Sequence, residues 1–362
     1  MMKICLVGNS NSIHMQRWSR WFFEHGHDVH LITNGTTEIK GITIHYIKKT
    51  KGLINYFLRI IRTIKIIRGL KPQVVNAHFA SSTETFAAAL SNYHPLIVST
   101  WGSDIAIDPE KSLIFKIEVK YVLKKADIVH TGDEFGKARL IQLGCNKHKI
   151  FIMPWGADLN LFNLNIEPFE KISKYVVLCV SPWYPNRNPF ILLNAIPYVI
   201  NKIKDIKFIF IGEGPEEQNL KSMAKKLDIE DYVVFAGKIP HKEMPKYFSI
   251  SDILVDTDVI KDNAGAGIGV TNIEAMACGV PILLSEREYL IKAGKSLRDE
   301  PWYCSLVYEP GDPKDLSKKI IMLINDKALR KKISDREVKI AHEIGDWNKN
   351  MEKMEQIMLN LR

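Results

Sequence analysis

The feature that most narrows the fold is an alternation, made twice, of short apolar runs with helix-length segments along 362 residues. In the first half the strand-length runs fall at 3–7, 28–33, 42–47, 74–78, 96–100 and 128–130. Most of their interiors are rich in Val, Ile and Leu with little polar alternation, the pattern of parallel strands buried on both faces. The segments between them, such as 14–25, are long enough for helices. After Ile152-Met153-Pro154-Trp155-Gly156-Ala157-Asp158 a polar stretch runs to about Lys174. The pattern then restarts at 176–180, 208–211, 233–235, 253–256, 281–284 and 306–308. Such alternation predicts an α/β architecture of doubly wound sheets, and the chain is too long for one hydrophobic core. The expectation is two Rossmann-like domains facing a central cleft, over 1–168 and 169–340. A C-terminal helix over 341–362 is expected to pack back towards the first domain. Strand ends of both sheets are then expected around one ligand site.

A net charge of +9 points to an anionic partner: nucleotide phosphates, an acidic membrane surface or nucleic acid. The sequence carries none of the recognition signatures for nucleic acid, so no nucleic-acid partner is expected. The cysteines Cys5, Cys145, Cys179, Cys278 and Cys304 are scattered and form no C-x-x-C, which argues against a disulfide framework or a zinc site. No stretch approaches the ~20 apolar residues needed to span a bilayer. The opening run to Gly8 is too short for a signal peptide. The expected location is the cytoplasm, with a peripheral place on the inner membrane face as the further option.

Residues 53–69 read as a basic amphipathic helix. Phe57, Ile60, Ile61, Ile64 and Ile67 share one face at helical spacing, while Arg59, Arg62 and Lys65 fall away from it. From Lys51 to Lys71 there are six basic residues and no acidic one. One reading is a sheet-covering helix with a solvated basic rim. The other is a surface, residues 51–71, that meets anionic lipid, each basic residue contributing about 1 kcal/mol.

The strongest local signal is Ala264-Gly265-Ala266-Gly267-Ile268-Gly269-Val270-Thr271-Asn272-Ile273-Glu274-Ala275-Met276-Ala277-Cys278-Gly279-Val280-Pro281. It follows a strand, is glycine-rich, and runs into a helix of good formers that ends at Gly279. Glycines ahead of a helix let backbone N–H groups approach a phosphate, and the helix dipole favours negative charge there. Glu274 falls about one turn in, where a carboxylate can hold a ribose diol. Asp256-Thr257-Asp258 is a D-x-D string, a candidate Mg²⁺ ligand pair. His78 and His14 fall at strand or loop ends.

With that string, the chain resembles the retaining glycosyltransferases of family 4, which have the GT-B fold. The family has a glycine-rich turn before a Glu-Ala-Met-Ala-x-Gly-x-Pro helix whose Glu contacts the donor ribose; Gly267, Gly269 and Glu274 match. Gly8-Asn9-Ser10-Asn11-Ser12-Ile13-His14 is similar to its first-strand loop, and Asn76-Ala77-His78 and Trp101-Gly102-Ser103-Asp104 to its next strand-end loops. Pro154-Trp155-Gly156-Ala157-Asp158 resembles its Pro-Asn-Gly-Val-Asp turn. Gly212-Glu213-Gly214-Pro215 and Phe235-Ala236-Gly237-Lys238 match further strand ends, near the base in that family. The chain departs from the family at three places. Ala266 stands where a second Glu contacts the transferred sugar. The phosphate-binding Arg and Lys map to Pro182 and Arg187. Trp101 stands where the third loop has His.

The resemblance implies transfer of a hexosyl-type sugar from a nucleotide diphosphate donor to a glycan or lipid-linked acceptor, with retention and without metal or cofactor. It implies donor binding by Gly8, Asn11, Arg187, Gly212, Lys238, Ile239, Gly267, Ile268, Gly269, Val270, Thr271 and Glu274. Acceptor binding falls to Ser12, His14, Trp101, Gly102, Ser103, Asp133 and Glu134, and direct catalytic roles to Arg187, His78 and Asp104. Two alternatives stay open: a catalytically silent nucleotide-sugar-binding subunit, and a nucleotide-sugar epimerase or hydrolase on the same fold.

Overall fold

The apolar runs become two all-parallel sheets in the computed structural model, which describes residues 1–49, 51–167, 169–257, 269–286 and 306–361. The first holds β1 (Lys3–Val7), β2 (Asp28–Thr33), β3 (Thr43–Tyr46), β4 (Val74–His78), β5 (Leu96–Ser99), β6 (Ile128–Thr131) and β7 (Ile150–Ile152), in the order β3-β2-β1-β4-β5-β6-β7. The second holds β8 (Tyr175–Val180), β9 (Ile206–Ile211), β10 (Val233–Gly237), β11 (Ile253–Asp256), β12 (Ile282–Ser285) and β13 (Leu306–Tyr308), in the order β10-β9-β8-β11-β12-β13. Strand order reverses between β1 and β4, and again between β8 and β11. At such switch points the loops leaving neighbouring strands part to opposite faces and open a crevice.

Leu6 sits between Leu31 and Asn76 in register, and Leu178 between Ile209 and Leu254. Every residue of β4 and β5 is buried, which is why these runs show no polar alternation. Strand β7 goes beyond the expected set: three half-buried residues at a sheet edge leave too weak a pattern to read. Pro281 precedes β12 and does not open it; with no N–H to donate, it supplies only its carbonyl, to the Leu254 amide.

Each sheet has its own core. Val75, Val98 and Val129 pack with Ile67, Ala88, Val122 and Leu123 of the covering helices. In the second sheet Val177, Phe208 and Phe210 meet Leu192, Ile196 and Leu323 on one face. Val176, Leu178 and Ile209 meet Phe248, Ile273 and Met276 on the other. Each large apolar side chain so buried contributes roughly 1.5–3 kcal/mol.

The described residues divide into two compact units, one formed by 1–154 and 351–361, the other by 155–257, 269–286 and 306–350. The segment that enters the second unit is bonded to the one that leaves it. The Ala157 amide donates to the Gly345 carbonyl at 2.7 Å, and the Trp347 amide to the Ala157 carbonyl at 2.9 Å. Gly156 has a φ of +69°, and a Cβ on it would stand 2.9 Å from the Trp347 amide nitrogen, so the turn requires glycine. The Lys327–Ile344 helix runs through 341, and the last helix, Trp347–Asn360, begins only after Gly345 and Asp346. Met351, Met354 and Met358 on that helix are buried. His27 accepts from the Met2 amide at 3.1 Å, and its Nε2 therefore donates to Glu355 at 2.6 Å.

The Leu53–Leu70 helix forms as expected, but it buries a different face. Ile60, Thr63 and Ile67 are inward, whereas Phe57 and Ile61 are 53% and 48% exposed. Arg59 does not fall to solvent: its Nη2 meets the buried Glu84 carboxylate at 2.6 Å. Arg59 thus lies on the inward side of the helix, and Phe57 and Ile61 lie on the outward side.

Candidate active site

In the second unit the strand ends are built on close backbone packing. Trp183 is buried against Phe235, its amide donates to the Glu213 carbonyl at 3.0 Å, and its own carbonyl accepts from Glu216. The 181–183 segment thus lies directly on the loop after β9. A Cβ on Gly212 would overlap the Ser181 carbonyl oxygen, and one on Gly214 would overlap that of Trp183. Gly212, expected to face the donor, is demanded by this internal contact. Arg187 closes the short helical turn Pro185–Arg187, where its carbonyl accepts from Thr257 Oγ1 at 2.7 Å. Lys238 is exposed and paired with Glu213 at 2.8 Å, while Ile239 packs on the core beside it.

Gly269 caps the Val270–Ala277 helix, which follows β11 in the chain. The Asn272 and Ile273 amides bond back to the Gly269 carbonyl, which leaves the Val270 and Thr271 amides without a partner inside the helix. No acidic residue occupies the first turn, so the positive end of the dipole is not offset there. Glu274, one turn in, is buried, and its Oε1 accepts from His241 Nε2 at 2.7 Å. Asn272 donates to Asp256 at 2.7 Å, so one carboxylate of the D-x-D string serves the helix start. Gly267, Ile268 and Asp258 lie outside the described residues. His241 and Asn272 were not singled out from sequence; His241 stands 33 residues from Glu274, and no spacing pattern links them.

In the first unit the Ile13–Glu24 helix, the end of β4, the loop after β5 and β6 share a string of rings. His14 and Trp101 are 4.8 Å apart between centroids, Trp101 and His78 5.8 Å, His78 and Trp18 4.9 Å, Trp18 and His130 5.9 Å. Ser12 precedes the Ile13–Glu24 helix without capping it through its side chain. Asn11 Oδ1 accepts from the Thr36 and Thr37 amides at 2.8 and 3.0 Å and holds that loop in place. Gly8 donates to Ile32, and a Cβ on it would press on Met15.

Two of the residues expected to act directly are buried beneath these loops. His78 Nε2 donates to Asn76 Oδ1 at 3.0 Å, and Asn76 is itself oriented by donating to Ser99. Burial, and then the neighbouring His130 and His14, push the His78 pKa down to about 3, so its ring is neutral and a weak base. His130 donates to the Met153 carbonyl at 2.8 Å and is pushed down to about 4 by burial. Asp104 is fully buried: Oδ2 accepts from the Ala80 amide at 2.7 Å and Oδ1 from the Trp101 amide at 2.9 Å. Burial raises its pKa to about 6, against the opposing pull of those backbone donors. Its carboxylate ties the loop after β4 to the Trp101 loop and presents no face to a substrate. Gly102, at φ +102°, and Ser103 follow Trp101 at the start of the Ser103–Ala106 helix. Asp133 caps the Glu134–Gln142 helix through the Gly136 amide at 2.6 Å, and exposed Glu134 pairs with Lys137 at 3.1 Å.

The comparisons with known proteins cover both units. A family described as "Glycosyl transferase 4-like" matches residues 3–132, and one described as "Glycosyl transferases group 1" matches residues 165–339. A GDP-mannose-dependent alpha-(1-6)-phosphatidylinositol monomannoside mannosyltransferase of Mycolicibacterium smegmatis is 32% identical over 168 residues, 44% of this chain and 44% of that protein. An uncharacterized glycosyltransferase of Methanocaldococcus jannaschii is 25% identical over 85% of this chain and 83% of its own. Among solved structures, Anabaena HepE in complex with UDP and glucose superimposes with a TM-score of 0.79 at 17% identity, over 100% of both chains. The paired parallel sheets and the two family matches agree: the chain belongs to the family-4 glycosyltransferases and has their GT-B fold.

Proposed function

We propose that the chain transfers a sugar from a nucleoside diphosphate-sugar to a glycan or lipid-linked acceptor, with retention of anomeric configuration and without a metal. The observation that carries this reading is the Val270–Ala277 helix after β11, whose Val270 and Thr271 amides have no partner within the helix, and the buried Glu274 one turn in. That is the arrangement a nucleoside diphosphate requires: amides for phosphate and a carboxylate for the ribose hydroxyls.

In this reading the second unit holds the donor. Departure of the diphosphate develops negative charge, and the Val270 and Thr271 amides, the helix dipole and the Arg187 guanidinium stabilise it. Gly267 and Ile268, which precede Val270 in sequence, are assigned to the phosphate side, while Gly212, Lys238 and Ile239 border the base. The first unit holds the acceptor through Ser12, His14, Trp101, Gly102, Ser103, Asp133 and Glu134. His78 and Asp104 act through Trp101, as positioning residues. The anomeric carbon gains oxocarbenium character as the bond to phosphate lengthens. The leaving phosphate then takes the acceptor's proton on the same face, which retains configuration.

The mannosyltransferase relative is named for GDP-mannose and the Anabaena structure holds UDP and glucose, so both nucleotides belong in the test. Purified protein is incubated in EDTA with UDP- and GDP-sugars and either a lipid extract or soluble glycans, and the product linkage is read by NMR. A glycoside with the donor's anomeric configuration is the expected result. An inverted product, or nucleotide release independent of acceptor, contradicts the reading. Pro182, where the family has a cation, favours one second reading, a subunit that binds the nucleotide-sugar without turnover. Its signature is binding with no product from any acceptor.

A further inference from the structure

Trp101 is a half-buried ring just past β5, and the backbone around it is pinned from both sides. The Thr100 amide before it donates to the His130 carbonyl at 2.9 Å. Its own amide donates to Asp104 Oδ1 at 2.9 Å, and Asp104 Oδ2 accepts from the Ala80 amide at 2.7 Å. Gly102, at φ +102°, turns the chain directly after it. His14 and His78 flank the indole at 4.8 and 5.8 Å between centroids, with planes tilted by 49° and 47°. Neither imidazole is therefore stacked flat on it, and part of the indole stays in solvent. A tryptophan held in this way offers a large, rigid apolar face, with only two side-chain torsions to fix on binding. The family has His at this position, so the platform belongs to this chain.

Polar groups accompany that face. The half-buried His14 imidazole stands beside the indole, and Ser12 and Ser103, two residues along the chain from His14 and from Trp101, are half-buried as well. The Ser12 hydroxyl does not cap the helix it precedes. A ligand that matches an apolar face edged by hydroxyl and imidazole groups is itself flat and apolar on one side and hydroxylated around its edge. A pyranose with equatorial hydroxyls is such a molecule: its axial C–H bonds share one face, and their small positive charge suits the negative face of an indole. A fatty acyl chain has no edge to hydrogen-bond, and a phosphate has no apolar face.

We propose that Trp101 is a stacking platform for a pyranose ring of the acceptor, with Ser12, His14 and Ser103 meeting the hydroxyls at its edge. Resting on the proposed transfer reaction, this narrows the acceptor: the hydroxyl that receives the sugar belongs to a pyranoside with an apolar C–H face, free, in a glycan or on a lipid.

The test is saturation-transfer difference NMR on the full chain, with and without UDP and GDP. The probes are methyl β-D-glucopyranoside and methyl β-D-galactopyranoside, with sorbitol as a control that has the hydroxyls but no ring face. Saturation is expected to be strongest on the axial C–H protons of at least one glycoside and absent from sorbitol. Trp101→Leu keeps apolar bulk without a π-face and is expected to weaken glycoside binding roughly threefold to tenfold. Trp101→Phe, with its melting temperature as the check on folding, is expected to retain most of it. No saturation of either glycoside overturns the proposal, as does saturation spread evenly over the ring protons, equal binding by the leucine variant, or loss in a folded phenylalanine variant. Saturation of uridine that Trp101→Leu removes, with none on the glycosides, overturns it in favour of a nucleobase. Calorimetry with UDP and GDP on the same wild-type samples separates the two readings: nucleotide binding without glycoside binding overturns the platform alone.

Discussion

His241 Nε2 and Glu274 Oε1 stand 2.7 Å apart, and Glu274 is the buried partner. A buried carboxylate needs hydrogen-bond donors, and here a histidine from the turn after β10 supplies one to the group proposed to hold the ribose. His241→Ala therefore strands the carboxylate and should cost about 1–3 kcal/mol of stability in urea unfolding. Glu274→Ala removes both the charge and its burial. It should leave stability closer to wild type while weakening nucleotide binding roughly tenfold to a hundredfold, the value of a charge-assisted hydrogen bond. If both variants lose stability alike and neither changes nucleotide affinity, the pair is structural only.

Glycines in the donor region divide by what their missing Cβ makes room for. Gly212 has φ +153° and sits against the Ser181 carbonyl, so Gly212→Ala should destabilise by more than about 2 kcal/mol or prevent soluble expression. A Cβ on Gly269 meets only Asn272 Nδ2, at 3.7 Å, among the described residues. Gly269→Ala should fold normally and keep its backbone amides available. Paired unfolding curves of the two variants read this contrast directly.

The acid dependence of stability should carry opposite signs from neighbouring groups. Asp104 is raised to about 6, from an unfolded value of about 3.9. Its contribution is present below about pH 4 and is lost as pH rises towards 6. His78 and His130 are lowered to about 3 and about 4. Their contribution is present above about pH 6.5 and is lost as pH falls. Asp104→Asn should thus remove a term that falls with pH between 4 and 6, and His78→Gln should remove one that rises with pH below about 6.5. Melting temperatures of each variant against wild type, taken at half-unit pH steps, separate the two.

Of the two positions where the family has a donor-phosphate cation, this chain has Arg187 at one and Pro182 at the other. Arg187→Lys keeps the charge but loses the fork, and should reduce turnover less than Arg187→Ala, which should lose at least about tenfold in kcat/KM. Equal activity in all three proteins rules out a phosphate role for this side chain.

The strands were legible because a sheet buried on both faces selects Val, Ile and Leu without interruption, as in β4 and β5. Which side of a helix turns inward was not. Phe57 and Ile61 share an apolar face with Ile60 and Ile67, and periodicity cannot foresee that Arg59 enters to meet Glu84, or that Thr63 joins the buried stripe. The site divides in the same way. Glu274 and the glycines before its helix are local in sequence and could be read there. The partner His241 comes from a distant turn, and the burial of His78 and Asp104 depends on how three loops pack. Trp101-Gly102-Ser103-Asp104 marks a strand-end loop in sequence; only the fold shows that Asp104 points down, into the backbone of its neighbour.

The central claim is that the second unit binds a nucleoside diphosphate through Glu274 and the start of its helix. Isothermal titration of UDP and of GDP into the wild-type chain and Glu274→Ala, with EDTA throughout, tests it most directly. The account predicts saturable binding of one nucleotide by wild type and at least about tenfold weaker binding by the variant. No binding of either nucleotide by folded wild-type protein, or equal affinity in the two proteins, contradicts it.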